Sequence, residues 1–357
     1  MSAPEDIPAS SVPGEPHLTV EKVLLGGGRV WTRRDIVERS GVGPGRTVQI
    51  WRALGFPVAD DDAKVFTDAD VDALRAGERL IEAGLITEES ETMMARALGH
   101  HLSRLAEWQV FALRSWVNRD AGDPADESAW LERAGQLLPE LELLQRHVWR
   151  RHLAAYAGQV LAAAEDTPAG HRVPGPGDQG EARPAPSHED ADVRDRAVGF
   201  TDMVGYTRMT RGLDSRALAG VLDRFESLTG DVVAEGHGRV VKTIGDEVLF
   251  VCESASAAAD IALELTARAA AQHGLPQMRT GLAHGAVLGR YGDVYGAAVN
   301  IAARLTAVAR PGTVLVDTAF AGELAGMTAY ALRGLRPVSV RGYSRLRPVL
   351  LRPASAR

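Results

Sequence analysis

The chain has 357 residues, a length that favours two domains over one. Its formal net charge is −7, with 45% hydrophobic and 24% charged residues, which is typical of a globular protein and excludes a general polyanion binder. A single cysteine, Cys252, excludes an internal disulfide, and without a long apolar run or a basic leader the sequence predicts a cytoplasmic protein lacking a membrane span and a signal peptide.

The first part of the chain is predicted to be helical after a short tail. Residues 1–17 are rich in proline and serine and are expected to form a disordered tail, which precedes a helical domain over residues 18–165. Within residues 30–57, Thr32 is placed to cap a first helix that ends at Ser40-Gly41, and a second helix should run from Gly45 to Leu54. Two short helices around such a turn predict a helix-turn-helix, which resembles that of the mercury-resistance regulators.

The charges around this helix-turn-helix bear on whether it binds DNA. Residues 29–52 contain six arginines against two acidic residues, which favours a nucleic-acid surface. The segment that follows, residues 60–91, is strongly acidic and would repel a duplex. We therefore expect a regulatory module that keeps the helix-turn-helix shape without binding DNA. The side chains of its second helix that could read bases are Arg46, Thr47, Gln49 and Arg52.

Helical spacing continues over residues 67–117 and 128–164. Gly84 is expected to end one helix, Thr87 to begin the next, and Pro139 to mark a helix start or a kink. The helix after Thr87 carries a long apolar stripe, which predicts a packed core or a dimer interface rather than a cofactor site. Members of this stripe are Met93, Met94, Ala97, Leu98, Leu102, Leu105, Trp108, Phe111 and Trp116.

A linker dense in proline and glycine, residues 166–190, divides this all-α half from residues 191–357. The second half alternates strands with helices around a central hairpin, which predicts an α/β ferredoxin-like sandwich. Helices are expected near residues 215–235, 255–273 and 297–309. Strands are expected near residues 277–288, 313–317, 328–333 and 338–341.

Two carboxylates stand at strand ends in this half. Asp202 ends an apolar run and is followed by a turn at Gly205, and Asp246 lies at the tip of a hairpin between two β-type runs. Taken singly, Asp202 could cap a helix and Asp246 could be a turn residue. Brought together, two carboxylates either share a proton or bind a divalent cation, and the backbone N–H groups of the Gly205 turn suit a polyphosphate. The pattern therefore predicts metal and phosphate chemistry.

Three separated motifs in this half occur in the order found in class III nucleotide cyclases. They are Phe200–Thr207, Val241–Asp246 and Gly292–Arg304. Residues 192–350 thus resemble a class III cyclase catalytic domain, and the helical module before them resembles the regulatory half of actinobacterial soluble adenylate cyclases.

The resemblance implies conversion of ATP to 3′,5′-cyclic AMP and pyrophosphate with two divalent cations, Mg²⁺ or Mn²⁺. Asp202 and Asp246 would hold the cations, Lys242 and Asp293 would select adenine, and Asn300 and Arg304 would orient the ribose and stabilise the pentavalent phosphate. The alternative for Lys242 and Asp293 is a plain salt bridge. Further substrate contacts are expected from Met203, Val204, Gly205, Tyr206, Thr207 and, in place of the lysine of relatives, Arg333.

The resemblance also implies a homodimer, because in these enzymes the metal and base-selecting residues of one site come from different subunits. Histidines of the helical module, two of them beside arginines, suggest a restraint that acidification releases. Two other functions stay open: a nucleotide-sensing helix-turn-helix transcription regulator, and a guanylate cyclase. The histidines are His100, His101, His147 and His152.

Overall fold

The computed structural model describes residues 21–120, 127–165 and 193–354. The chain separates into two compact units, Met1–Gly180 and Glu181–Arg357. The predicted disordered tail, residues 1–17, and the predicted linker, residues 166–190, lie outside the described residues. Across the parts that the structure describes, every helix is too short or too polar to cross a lipid bilayer.

The first unit contains the two short helices that the sequence predicts between residues 30 and 57. Helix α1 is Arg33–Ser40 and helix α2 is Pro44–Ala53. Thr32 caps α1 as expected, because its side chain accepts the Asp35 N–H while the Asp35 carboxylate accepts the Thr32 N–H. After α1 the chain turns at Gly41, whose φ of 78° lies in the left-handed region that favours glycine.

Three longer helices complete the first unit: α3 (Asp68–Glu82), α4 (Glu88–Asp120) and α5 (Glu127–Glu165). Helix α5 continues through Pro139, so this proline does not mark a helix start. Helices α4 and α5 contact each other through Leu113, Ala134 and Leu137. Most of the apolar stripe predicted on α4 is exposed, so the expectation of a packed core is wrong for Met94, Leu98, Leu102, Leu105, Trp108 and Phe111 within this unit.

The second unit is built on one mixed sheet. Its strands are β1 (Val193–Met203), β2 (Arg239–Ile244), β3 (Glu247–Cys252), β4 (Met278–Arg290), β5 (Asp293–Tyr295), β6 (Val314–Val316), β7 (Tyr330–Gly334) and β10 (Val349–Pro353). The strand order is β2-β3-β1-β4-β6-β10-β7, with β5 paired to β4; β4 and β6 are parallel and the other pairs are antiparallel.

Helices cover both faces of this sheet. Helix α6 (Tyr206–Met209) follows β1 as a single turn. Helices α7 (Ser215–Glu235), α8 (Ala255–Ala271) and α10 (Thr318–Glu323) pack on one face, where the core includes Phe225, Phe250 and Phe320. Helix α9 (Ala297–Val308) packs on the other face. The fold class predicted for both halves is therefore confirmed.

The C-terminal strands differ from the prediction. The sequence predicts that a strand near residues 338–341 closes the sheet, but β8 (Val338–Val340) pairs with β9 (Tyr343–Leu346) in a separate two-stranded sheet. Strand β10 lies between β6 and β7 instead. Because Leu350 and Leu351 of β10 are both buried, that strand suits an interior position better than the half-buried β8.

Helix α9 approaches the sheet closely at Gly281 of β4. A Cβ atom at Gly281 would lie 2.4 Å from both the Ala302 carbonyl oxygen and the Thr306 amide nitrogen. The Thr306 hydroxyl also donates to the Phe200 carbonyl oxygen at 3.1 Å. This contact fixes the height of α9 above β1 and β4.

We expect Gly281→Ala to destabilise the second unit by about 2–3 kcal/mol, because backbone atoms of α9 must move to admit the methyl group. That loss corresponds to a fall in Tm of roughly 5–10 °C, measured by scanning calorimetry. The matched control is Gly230→Ala in α7, where an added Cβ meets no atom within 4 Å. Equal melting temperatures for the two variants would show that α9 is not held at this contact.

Candidate active site

The two motif carboxylates lie beside each other at one end of β1. Asp202 is the last residue but one of β1, and it pairs in register with Glu247 of β3. The turn before β3 places Asp246 next to it, since the Met203 N–H donates to the Asp246 carbonyl oxygen at 3.1 Å. Alternation along β1 puts Asp202 on the sheet face that α9 covers, the face of Val198 and Phe200. Asp202 is thus a strand residue, and Gly205 takes the N-cap position of α6.

The negative charges of these carboxylates repel each other. Burial raises the pKa of Asp246 to about 6, and the negative charge of Asp202 adds to the rise. Burial likewise raises the pKa of Glu247 to about 7, with Asp202 and Asp246 contributing. Glu247 is a residue that the sequence analysis missed. The sequence did contain a signal for it. Glu247 is a charged residue on the same strand face as the apolar residues Leu249 and Val251, which follow it by two and four positions.

Arg279 is the second residue that the sequence analysis missed, and it is the cation nearest to Asp202. It lies opposite Asp202 in the β1–β4 register, and its Nε and Nη2 atoms are 2.6 and 2.5 Å from Asp202 Oδ2. Its Nη1 donates to the Ala307 carbonyl oxygen at 3.3 Å. The pairing depends on which residue of β4 lies opposite Asp202, and that register is not readable from either segment alone.

The donor set at this end of β1 fits a divalent cation. Asp202 and Asp246 supply hard carboxylate oxygens, and Mg²⁺ is usually held by one or two carboxylates together with substrate phosphates and water. Over the described ranges, no three metal-ligating side chains converge on one point. A site of two carboxylates completed by the substrate is consistent with that finding. The raised pKa of Asp246 supports the same view, because a half-buried carboxylate beside the buried Asp202 gains from added positive charge.

Of the five residues from 203 to 207, two already use their backbone N–H groups within the chain and cannot donate them to a phosphate. The Met203 side chain is buried in the core and its N–H is already bonded to Asp246, while the Val204 N–H donates to the Gln277 carbonyl oxygen at 2.8 Å. Gly205 has a φ of 82°, which starts the single turn of α6. The amides of Tyr206 and Thr207 stand in the first turn of that helix, where N–H groups have no carbonyl within the helix to bond.

Lys242 and Asp293 are brought together across two strands. Lys242 on β2 places its Nζ atom 2.5 Å from Asp293 Oδ2 at the start of β5. The other carboxylate oxygen of Asp293 accepts the Val294 N–H at 2.8 Å. Both side chains keep about a third of their surface exposed, 36% and 26%, so the pair remains open to a ligand. The salt bridge named above as an alternative is therefore present in the chain, and it leaves base recognition possible.

Asn300 and Arg304 lie one helical turn apart on α9. Asn300 is exposed and Arg304 is half-buried, and among the described residues Arg304 forms no ion pair with a carboxylate. Arg333 is in a different place. It lies exposed on the edge strand β7, four strands from β1 in the sheet order, so the structure does not bring it to Asp202 of the same chain. A second exposed Arg-Gly pair, Arg341-Gly342, turns the β8–β9 hairpin.

The helix-turn-helix of the first unit is the other candidate surface, and three of its four possible base readers are engaged in contacts within the unit. Arg46 lies 2.7 Å from Glu91 in an ion pair, and Thr47 is 3% exposed. Gln49 donates to a threonine hydroxyl of α4 at 3.2 Å. Gln49 and Arg52 are the two exposed residues of the four. Because these contacts hold three of the side chains within the unit, α2 presents a poor surface for reading bases.

The four histidines that the sequence analysis singled out as pH sensors are exposed on α4 and α5. The rings of His100 and His101 lie 5.1 Å apart, edge to face. The ring of His152 stacks on Tyr156 at 6.2 Å.

Comparison with known proteins assigns both halves of the chain to described families. Residues 190–352 match the model of the adenylate and guanylate cyclase catalytic domain, and residues 4–153 match that of the adenylate cyclase regulatory domain. A Streptomyces coelicolor protein named adenylate cyclase is 40% identical over 326 residues, which cover 90% of this chain and 79% of that protein. A Glutamicibacter nicotianae protein of the same name is 35% identical over 98% of this chain and 85% of its own length.

A third relative carries a more specific name. A protein of Mycobacterium tuberculosis (strain CDC 1551 / Oshkosh) named as a pH-sensitive adenylate cyclase is 29% identical over 316 residues. The match covers 88% of this chain and 74% of that protein. Both halves of the chain are therefore found together, over most of their length, in proteins of this kind.

Proposed function

Because the chain belongs to the class III adenylate cyclases, with a regulatory domain before the catalytic one, we propose that it converts ATP to 3′,5′-cyclic AMP and pyrophosphate at sites shared by two subunits. The choice of ATP as the substrate rests on the Lys242–Asp293 pair, whose Nζ and Oδ2 atoms lie 2.5 Å apart and whose side chains are open to solvent. Lys242 donates to adenine N1 and Asp293 accepts from the exocyclic amine. Guanine presents an N1–H donor and an O6 acceptor at these places, so the pair rejects it.

Asp202 and Asp246 hold two divalent cations, Mg²⁺ or Mn²⁺, in this proposal. When bound, the cations lower the pKa of the ribose 3′-hydroxyl and offset the charge of the triphosphate. The chain's own residues supply the remaining chemistry. Asn300 orients the ribose, and Arg304 stabilises the negative charge that develops on the α-phosphate during in-line attack. Support for Arg304 comes from its position, half-buried and without a carboxylate partner in the described part of the chain.

The triphosphate is held by donors from several segments. The free amides of Tyr206 and Thr207 after Gly205 are the donors left in the loop, since those of Met203 and Val204 are engaged within the chain. Arg333, or the hairpin-tip Arg341, reaches the phosphates from the second subunit. A head-to-tail homodimer then has two equivalent sites, each with its cations on one copy and its base and transition-state residues on the other.

The ion pair between Arg279 and Asp202 competes with the binding of cations to Asp202. The guanidinium neutralises Asp202 in the absence of cations, and bound cations would repel it from the carboxylate towards the anionic phosphates. We expect Arg279→Met to raise the apparent affinity for Mn²⁺ severalfold while raising the KM for ATP about tenfold or more. Titration calorimetry with Mn²⁺ and steady-state kinetics measure the two effects.

The matched control for Arg279→Met is Arg216→Met, an exposed arginine on α7 outside the site. It should leave both the Mn²⁺ affinity and the KM for ATP unchanged. If Arg279→Met weakened Mn²⁺ binding instead, the guanidinium would be supporting the cation site rather than competing with it.

The primary experiment is an assay of the purified full chain with ATP or GTP and with Mg²⁺ or Mn²⁺, followed by identification of the product. Cyclic AMP and pyrophosphate from ATP, with GTP much poorer, are expected. Comparable use of both nucleotides would support the guanylate cyclase alternative. Absence of any cyclic product under either metal would favour a nucleotide-sensing regulator.

The regulatory part of the proposal is that residues 1–165 restrain the catalytic half at neutral and alkaline pH and release it on acidification. Its supports are the match of residues 4–153 to a regulatory domain, the relative named as pH-sensitive, and the exposed histidines of α4 and α5. We expect the full chain to gain activity as the pH falls from about 8 to 5.5, relative to a chain starting near Ala191. The same specific activity and the same pH profile for both would contradict a pH-linked restraint.

A further inference from the structure

Strand β2 contains a bulge that places two cationic side chains on the same face. Its register with β3 shifts between Val240 and Lys242. Arg239 lies opposite Val251 of β3, and Lys242 lies opposite Leu249. These two partners pack in the core under α9, and directly paired residues share a face, so Arg239 and Lys242 both lie on the sheet face that α9 covers. Without the extra residue, side chains three positions apart on a strand would point to opposite faces.

The turn between β4 and β5 contacts β2 through these two side chains. Tyr291 and Gly292 are the two residues between the paired Arg290 and Asp293, and their φ angles are 54° and 79°. A two-residue hairpin turn with two positive φ angles favours asparagine followed by glycine, so the tyrosine is strained in the first position. Asp293 is the first residue of β5, so the position of its carboxylate depends on this turn.

Two contacts from β2 hold the turn. The Lys242 ammonium pairs with the Asp293 carboxylate. The Arg239 Nη1 atom donates to the Gly292 carbonyl oxygen at 3.1 Å, and the Arg239 residue is half-buried. In the proposed function Lys242 and Asp293 turn polar atoms to the base. The Arg239 contact uses no atom that the base contacts, so it persists when the base enters.

We propose that Arg239 is a positioning residue for the choice of base. By holding the Gly292 carbonyl oxygen, Arg239 keeps the Tyr291–Gly292 turn in its left-handed geometry. The turn then keeps Asp293 within reach of Lys242 and of the exocyclic amine of adenine. This inference rests on the proposed reading of adenine by Lys242 and Asp293, and it extends that reading to a residue that itself contacts no substrate.

Arg239→Met removes the donor and retains a long side chain. Binding of 3′-deoxyATP and 3′-deoxyGTP, which lack the attacking hydroxyl, measures the base preference without turnover, by titration calorimetry in the presence of Mn²⁺. We expect the preference for 3′-deoxyATP to fall about tenfold. With ATP itself, KM should rise about tenfold while kcat changes by less than about threefold, because the residues proposed to act on the reacting phosphate are unaltered.

Hydrogen exchange of the backbone amides reports on the turn itself, with no nucleotide present. In Arg239→Met the amides of residues 288–295 should exchange about tenfold faster, because the turn loses one of its two contacts with β2. Arg239→Lys keeps a donor for the Gly292 carbonyl oxygen and should restore part of the protection and part of the base preference. The matched control is Arg268→Met, an arginine of α8 whose ion pairs are to glutamates of α7 and α8, and it should leave both measurements unchanged.

Relief of the strain at Tyr291 gives a second test. Tyr291→Asn suits the left-handed region, so in the Arg239→Met background it should recover part of the lost base preference. No recovery, unchanged hydrogen exchange in Arg239→Met, or faster exchange without a change in base preference would each overturn the proposal. Equal binding of the two deoxynucleotides by the wild-type chain would instead contradict the proposed reading of adenine, and hydrogen exchange would still decide whether Arg239 holds the turn.

Discussion

Asp202→Ala should abolish turnover, with a loss of about a thousandfold or more in kcat, because one of the two carboxylates proposed to hold the cations is removed. Asp202→Asn, which keeps the shape and removes the charge, should lose nearly as much. Folding should tolerate both changes. Asp202 contributes to the raised pKa of Asp246 and of Glu247, so its loss relieves repulsion, while the Arg279 side chain keeps 32% of its surface exposed to water.

Arg304→Ala should lose about a thousandfold for a different reason. A fixed guanidinium on α9 that makes no ion pair in the described chain is available to the transition state, and removing it leaves the developing phosphate charge uncompensated. Arg304→Lys restores the charge without the planar fork and should recover only part of the rate. Titration with Mn²⁺ should show normal cation binding in both variants.

Mixing the two inactive proteins tests the shared site directly. A heterodimer of Asp202→Ala and Arg304→Ala contains one site that lacks both residues and one that has all of them. After equilibrium exchange of subunits, half of the dimers are mixed, so about a quarter of the wild-type activity should return. Failure to recover activity in heterodimers verified by mass spectrometry would contradict a site built from two copies, whatever the single variants do.

The second large effect is on the choice of base. Lys242→Glu combined with Asp293→Lys keeps an ion pair between β2 and β5 and reverses its hydrogen-bonding polarity. The exchanged pair accepts from guanine N1–H and donates to O6, and it opposes adenine at both positions. We expect kcat/KM for ATP to fall by about a thousandfold or more, while the ratio of GTP to ATP turnover reverses.

Asp293→Asn is the matched control for the exchange. An amide both donates and accepts, so this variant should relax the preference without reversing it, with the melting temperature close to that of the wild type. If the double exchange left the preference for ATP intact, then Lys242 and Asp293 would be a structural ion pair and the base would be read elsewhere.

The helices and the catalytic motifs were accessible from the sequence because their signals are local. Thr32 with Asp35, and Thr67 with Asp70, cap their helices within four residues, and the apolar spacing of α7 repeats every turn. The run from Phe200 to Thr207 holds a strand, a carboxylate and a glycine turn in one segment. A resemblance to class III cyclases can therefore be read from the chain without its structure.

Only the tertiary structure determined which residues distant in the chain lie next to each other. The register of the β-strands brings Arg279 and Glu247 to Asp202. The order of the C-terminal strands depends on whether β8 or β10 occupies the interior position in the sheet. Arg46 faces a buried glutamate rather than solvent, and the stripe on α4 is left outside the unit's core. Each of these outcomes depends on contacts between residues distant in the chain, which helical and strand periodicity do not encode.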